Sequence, residues 1–237
     1  MDASYPMRIN KYLALAGYTT RRGADELIAK GRVRINGRVA VLGDKVTESD
    51  DVEVVTGRRS KGHRYFAYYK PRGVVTHSAQ GTDTDIKKEL LRNRELEGTF
   101  PVGRLDKDSY GLILLTDDGR VTDRLLNPDK EHEKEYVVRT KQKLRANFKE
   151  RAAAGIAIEG YTTKPAHVRI TGEKSFAITL TEGKKHQIRR MVVATFNEVE
   201  ELKRTRIMNV RLGNMKPGEY RAIEGDELQV FLKSLGL

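Results

Sequence analysis

The chain of 237 residues contains no cysteine and no tryptophan. Without thiols there is no disulfide scaffold, no thiolate metal site and no cysteine nucleophile. Its histidines (His63, His77, His132, His167 and His186) are scattered, with no HxH or HExxH spacing, which argues against a zinc enzyme. No apolar run approaches the roughly 20 residues that cross a bilayer. The opening MDASYPMRIN lacks the apolar stretch of a signal segment. Neither a GxGxxG nor a GxxxxGK glycine loop is present, nor GxSxG, so dinucleotide, P-loop and serine-hydrolase chemistries lose their main support. These absences predict a cytoplasmic protein with no membrane, metal or cofactor, and nothing in the sequence calls for more than a monomer.

What the chain does have is charge. Lys and Arg number 45 against 33 Asp and Glu, a net charge of +12. Hydrophobic residues make up 38%, enough for a real core in one or two domains. A basic excess of this size points to a polyanionic partner, most often nucleic acid. The excess is uneven. Between residues 7 and 43, Arg8, Lys11, Arg21, Arg22, Lys30, Arg32, Arg34 and Arg38 stand against only Asp25 and Glu26. Ile9, Leu13 and Ala16 recur at helical spacing with Gly17 as the stop, and Ala24, Leu27 and Ile28 mark a second short helix closed by Gly31. Arg32 to Ile35 alternates with period two, Asn36-Gly37 is the pair a type I′ turn prefers, and Arg38 to Val41 returns. Val52 to Val55 reads as a third strand. The turn between the helices holds Thr19, Thr20, Arg21 and Arg22, where helix-start amides beside arginines suit phosphate oxygens. Helix, Arg-containing turn, helix and Asn-Gly hairpin, in this order, resemble the S4 RNA-binding domain from about Met7 to Val55. The resemblance implies that these eight basic residues contact RNA.

Residues 56–64, TGRRSKGHR, are polar and aperiodic and read as a linker. We therefore divide the chain into an S4-like domain with linker, 1–60, and a catalytic domain, 61–237. In the second block, strands are expected at Tyr65–Tyr69, Leu112–Thr116, Glu135–Arg139, His167–Thr171, Phe176–Thr181 and Arg206–Leu212. Helices are expected at Ile86–Arg94, Arg120–Asn127, Leu144–Ala154 and His186–Phe196. Strands and helices without regular βαβ alternation predict an α+β fold with an antiparallel or mixed sheet.

Three segments of this block could carry chemistry. The first is GRLDKDSYG, residues 103–111, leading into an apolar strand. Glycines at both ends permit a tight loop, and Arg104 and Lys107 favour the ionised form of Asp106. Such a carboxylate suits a nucleophile or electrostatic partner better than a proton donor; the segment also reads as a surface loop with local ion pairs. The second, HEKEYVV at 132–138, puts Tyr136 at the start of a strand, where an aromatic side chain can equally be core. The third is EGKKHQIRRM at 182–191. Ile188, Met191 and Val192 share a helix face there, which sets Arg189 and Arg190 at different angles to the interior. The planar guanidinium fork suits a carboxylate partner, or a basic face could hold phosphate.

Together, GRLDKDS…GLILLTDDG, HEKEYVV and EGKKHQIRRM resemble the three motifs of the ribosomal pseudouridine synthases of types A, B, E and F. In that family type A is the small-subunit enzyme, and types B, E and F are the large-subunit enzymes. YYKPRGVVT resembles the family's opening strand and turn, and ELKRTRIMNVRLGNMKPGEYRAI its C-terminal motif. The similarity spans essentially the whole chain, and HEKEY and RTRIMNV look closest to the type F members. The chain departs from the family at Ser109-Tyr110, often Thr-Glu, and at Lys185-His186, often Asn-Arg. Neither departure falls on the Asp, Tyr or Arg of the motifs, so both bear on the RNA target and not on the reaction.

The resemblance implies a cofactor-free isomerisation of uridine in ribosomal RNA, 23S rRNA first and tRNA as a possible second substrate. Asp106 is implied as nucleophile or base, Tyr136 as the residue packed on the uracil, and Arg189 as the partner of the Asp106 carboxylate. Arg104 is the candidate to fill the space left by a flipped base. Lys107, Lys185, His186, Gln187 and Arg190 are expected to bind substrate, and the Lys184–Arg190 and Lys203–Arg206 clusters to face its backbone. Two alternatives stand beside this reading: a non-catalytic S4-type RNA-binding or ribosome-assembly protein, and a metal-dependent nuclease using Asp106, Asp108, Asp117 and Asp118.

Overall fold

The computed structural model describes residues 5–55, 62–76 and 85–237. Most of the expected linker, residues 56–61, and His77 lie outside the described residues. The chain divides into two compact units, Met1–Arg64 with Thr116–Arg124, and Tyr65–Leu115 with Leu125–Leu237.

The first unit begins with β1 (Met7–Arg8), α1 (Ile9–Leu15) and α2 (Arg21–Ala29). It continues with β2 (Val33–Ile35), β3 (Arg38–Val39), β4 (Lys45–Val46) and β5 (Val52–Val54). Asn36 and Gly37 have φ of 50° and 78°, the two positive angles of a type I′ turn, and set Ile35 opposite Arg38. β2 is the centre of a three-stranded sheet between β3 and β5, and β1 pairs with β4. Ile9, Leu13, Ala24, Ile28, Val33, Ile35 and Val46 form the core. Arg21 and Arg22 are not in the inter-helix turn as expected. Thr20 caps α2 by accepting from the Gly23 amide at 3.0 Å, which makes both arginines the first turn of the helix.

The carboxylates of Asp117 and Asp118 are tied up in the fold. Asp118 is fully buried and holds Arg120 with two bonds, from Nε at 2.9 Å and Nη2 at 2.8 Å. Asp117 accepts from the Arg64 amide and guanidinium and lies 3.3 Å from His63 Nδ1. Burial works to raise the Asp117 carboxyl, but His63 and Arg64 outweigh it and hold it at about 2. Two of the carboxylates of the nuclease alternative are thus committed to arginine partners.

The second unit contains β6 (Tyr65–Lys70), α3 (Ile86–Leu91), β7 (Phe100–Val102) and β8 (Tyr110–Thr116). After α4 (Gly119–Leu126), most of which belongs to the first unit, come β9 (Lys134–Thr140), α5 (Phe148–Ala154), β10 (Ala157–Ile158) and β11 (Tyr161–Thr162). Then follow β12 (His167–Gly172), β13 (Ser175–Leu180), α6 (Gln187–Val193), β14 (Val199–Ile207) and β15 (Val210–Arg211). β16 (Tyr220–Ala222) and α7 (Gly225–Ser234) end the chain. Among the described residues a nine-stranded sheet runs in the order β12-β13-β9-β14-β8-β6-β16, with β15 on β14 and β7 on β8. The β14–β8 pair is parallel and the pairs of β9 with β13 and β14 are antiparallel, so the sheet is mixed.

α5 and α6 cover one face of β9, β13 and β14. Phe148, Ala152, Ile188, Met191 and Val192 meet Val138, Phe176, Ile178 and Leu202 there. The expected helix from Leu144 begins only at Phe148, and α6 ends at Val193 instead of Phe196. The last expected strand is in fact two. β14 starts at Val199 and turns at Met208-Asn209 into β15, with Ile207 opposite Val210. Its early half was hidden because charged residues occupy inward as well as outward positions. β16 lies within the C-terminal motif but was not expected as a strand, and α7 was not expected as a helix.

Candidate active site

The glycine-bounded loop joins β7 to β8. Asp106 is near its middle with 40% of its side chain exposed, and the Ser109 amide bonds back to its carbonyl at 3.0 Å. Three features fix this loop from below. Thr76 Oγ1 donates to the Leu105 carbonyl at 3.0 Å and accepts from the Leu105 amide at 3.3 Å. The Gly73 amide donates to the Lys107 carbonyl at 2.8 Å. Arg204, buried on β14, donates Nη1 to the Arg104 carbonyl at 3.3 Å and Nε to the Leu112 carbonyl at 2.7 Å, so one guanidinium brackets both ends.

The register explains why these segments meet. On β14, Arg204 lies opposite Tyr136 of β9 on one side and Gly111 of β8 on the other. Tyr136 is therefore partly buried on the helix-covered face, packed against the core beneath α6. Gly111 has φ +104°, and a Cβ there would stand 2.3 Å from the Arg204 carbonyl oxygen, so only glycine allows the strands to close.

α6 brings the third segment. His186, at φ +52° in the N-cap position, puts Nε2 3.4 Å from Asp106 Oδ1. Arg189 donates Nη2 to Ser109 Oγ at 3.3 Å. The expected Arg189–Asp106 pair is thus replaced by two neighbouring contacts: the imidazole takes the carboxylate, and the arginine takes the hydroxyl three residues on. Both departures from the family pattern touch the site, contrary to the expectation that they concern the RNA target alone.

Several substrate-binding expectations are revised. Gln187 is buried and holds the helix start, donating to Glu182 and accepting from the Lys184 amide at 3.0 Å. Arg190 is drawn to the Glu159 carbonyl and carboxylate. Arg104, Lys107 and Lys185 are exposed. The Lys203–Arg206 cluster does not face outward together. Arg204 is buried, Arg206 pairs with Glu133 and Glu135, and Lys203 Nζ lies 5.3 Å from the centre of the Tyr69 ring. In the first unit, Arg8, Lys11 and Arg21 line a recess of about 310 Å³ with Pro6, Met7 and Asn10. Arg22, Lys30 and Arg32 are exposed, whereas Arg38 is held by Asp44 at 2.9 Å and Arg34 by the Gly37 carbonyl at 2.8 Å.

Sequence reasoning missed Lys70, Thr76 and Arg204. Lys70 is fully buried and donates to the carbonyls of Pro71 and Val74. Burial lowers its ammonium to about 8, against the opposing pull of Asp106 and Asp108. A lysine ending the otherwise apolar run YFAYYK was the available signal. Lys134 is lowered to about 8 by burial and then by Arg204. Among the described residues no group of three His, Asp or Glu side chains is placed to hold a metal ion. No described helix is long and apolar enough to cross a membrane.

Residues 64–194 match the family model for RNA pseudouridylate synthase, and residues 7–52 match the S4 domain. The chain is 38% identical over 226 residues to the dual-specificity RNA pseudouridine synthase RluF of Escherichia coli strain K12, covering 94% of this chain and 77% of that one. It is 35% identical over 231 residues to the ribosomal large subunit pseudouridine synthase B of Bacillus subtilis strain 168, covering 94% of each. A crystal structure of a pseudouridylate synthase superimposes with a TM-score of 0.70 at 30% identity, covering 97% of this chain and 99% of that one. With the motif segments gathered around one carboxylate loop, and an S4 domain ahead of them, the chain belongs to the RNA pseudouridylate synthase family.

Proposed function

We propose that this enzyme converts a uridine of large-subunit ribosomal RNA to pseudouridine, with Asp106 as its catalytic carboxylate. The N1–C1′ bond breaks, the uracil turns, and a C5–C1′ bond forms. The C5 proton is released and N1 ends protonated, so the product is an isomer and the step needs no oxidant or cofactor. Asp106 either attacks C1′ or removes a proton from the sugar to give a glycal. The observation that carries the reading is the part-exposed Asp106 carboxylate on a loop whose backbone on either side, at Arg104, Leu105 and Lys107, is held by Arg204, Thr76 and Gly73. Preorganised charge of this kind is usually a large part of catalysis.

The other roles follow by position. Tyr136 packs on the target uracil, and Arg189 keeps the loop in place through Ser109. Exposed Arg104 stacks in the gap left by the extruded nucleotide. The S4 unit supplies affinity through Arg8, Lys11, Arg21, Arg22, Lys30 and Arg32. The large-subunit name of the Bacillus relative supports ribosomal RNA as substrate, and the dual-specificity name of the Escherichia relative supports testing a second RNA substrate as well. Mapping pseudouridines in total RNA from cells with and without the protein tests the reading. A large-subunit rRNA position that loses its modification is expected; identical maps overturn it.

A further inference from the structure

The face of α6 that carries Arg189 continues past the site. Val193, one turn on and the last residue of α6, shares that face, and Phe196 follows three residues beyond the helix end. Val193 is 61% exposed and Phe196 68% exposed, although both are large and apolar.

Phe196 is unusual in its backbone as well as in its exposure. Its φ is +62°, the left-handed region where glycine is the default and a bulky side chain is strained. The helix end does not need this ring. Val192 and Thr195 are the buried residues there, and the turn closes through the Phe196 amide to the Val193 carbonyl and the Asn197 amide to the Val192 carbonyl. The fold therefore holds an aromatic in water at a position where glycine would cost less.

What accompanies the ring indicates its partner. The Arg145 guanidinium carbon stands 4.3 Å from the ring centroid. Asn197 ties the two segments together, accepting from the Gln142 amide at 3.1 Å and donating to the Gln142 carbonyl at 3.0 Å. The nearby carboxylates are neutralised, Glu198 by Lys141 and Glu200 by Arg139. A fixed, exposed aromatic ring with a guanidinium on it and its neighbouring carboxylates paired matches the chemistry that binds single-stranded nucleic acid, where bases stack on aromatic and guanidinium planes.

We propose that Phe196 and Arg145 form a base-stacking platform for an unpaired nucleotide of the RNA substrate, outside the catalytic pocket. The inference rests on RNA as the substrate. Its test is binding of in vitro transcribed large-subunit rRNA by the full-length protein, with thermal melting alongside. Phe196→Gly relieves the backbone strain, so its Tm is expected to hold or rise. Its Kd is expected to weaken about 5- to 100-fold, the range for loss of one stacked base, with an unchanged salt slope. Phe196→Trp is expected to bind like the wild type. Arg145→Gln removes the stacked guanidinium and is expected to weaken binding as well. A Phe196→Gly protein that binds within twofold of the wild type overturns the platform alone. A variant that loses self-association instead of RNA affinity overturns it in favour of a protein contact. A wild-type protein that does not bind the rRNA overturns both this inference and the proposed substrate.

Discussion

Nε2 of His186 lies 3.4 Å from Oδ1 of Asp106, and both side chains are about half exposed. The contact depends on backbone geometry, because the left-handed conformation of His186 turns its imidazole from the start of α6 toward the loop. His186→Asn tolerates that conformation but has no ring nitrogen to reach the Asp106 carboxylate. It is expected to lower kcat about tenfold, since small misplacements of a reacting group have large effects. His186→Arg is expected to retain most of the activity. Single-turnover kinetics on rRNA separates the two variants; equal activity in all three proteins would show the contact to be incidental.

Ser109 ties the arginine of α6 to the carboxylate loop. Ser109 is buried, and its hydroxyl accepts from Arg189 at 3.3 Å. Ser109→Ala removes the acceptor and is expected to cost roughly tenfold in kcat, about the effect of one charged hydrogen bond. Ser109→Thr keeps the hydroxyl and is expected to stay near wild type. The check is kcat with rRNA affinity measured in parallel, and an unimpaired alanine variant counts against positioning through Ser109.

Gly111 marks a close approach of two strands in the catalytic sheet. A methyl group there meets the Arg204 carbonyl oxygen at 2.3 Å and the Arg204 nitrogen at 2.9 Å, on a backbone with φ +104°. Gly111→Ala is expected to destabilise the protein by about 3 kcal/mol or more, from strain and strand separation together. Urea unfolding measures it; a loss under about 1 kcal/mol would mean that β8 and β14 part without cost.

Much of this was legible in the sequence, for identifiable reasons. The Asn-Gly turn, the two short helices of the first unit and the strands around Leu112 and Val138 are set by local pattern: positive-φ residues, 3.6-residue spacing and runs of apolar residues. The role of Arg204 was not legible. In the string KRTR it looks like one of several surface cations, and only the pairing of β14 with both β8 and β9 turns it inward. His186 was hidden for a similar reason. Its proximity to Asp106 depends on a left-handed backbone angle that a Lys-Lys-His-Gln string does not announce. Gln187 looked polar enough to meet substrate, yet its amide is consumed by Glu182 and the helix start. Lys70 shows the converse, a charge visible in an apolar strand whose placement beneath the loop emerged only from the fold.

The basic surface of the first unit makes a separate prediction. Arg21 and Arg22 open α2 and are both exposed. Arg21→Gln with Arg22→Gln is expected to weaken rRNA binding and to flatten the dependence of log K on log salt by about one unit per lost phosphate contact. The rate at saturating RNA is expected to stay unchanged. Titrations at several salt concentrations decide it, and an unchanged slope removes these arginines from the RNA contact.

The central claim is that Asp106 carries the chemistry while other residues hold it and the RNA. Its most direct test is tritium release from large-subunit rRNA labelled at uridine C5, comparing wild type with Asp106→Asn. The account predicts release by the wild type, none by the variant, and rRNA binding by both with similar affinity. Release by Asp106→Asn at the wild-type rate would contradict it.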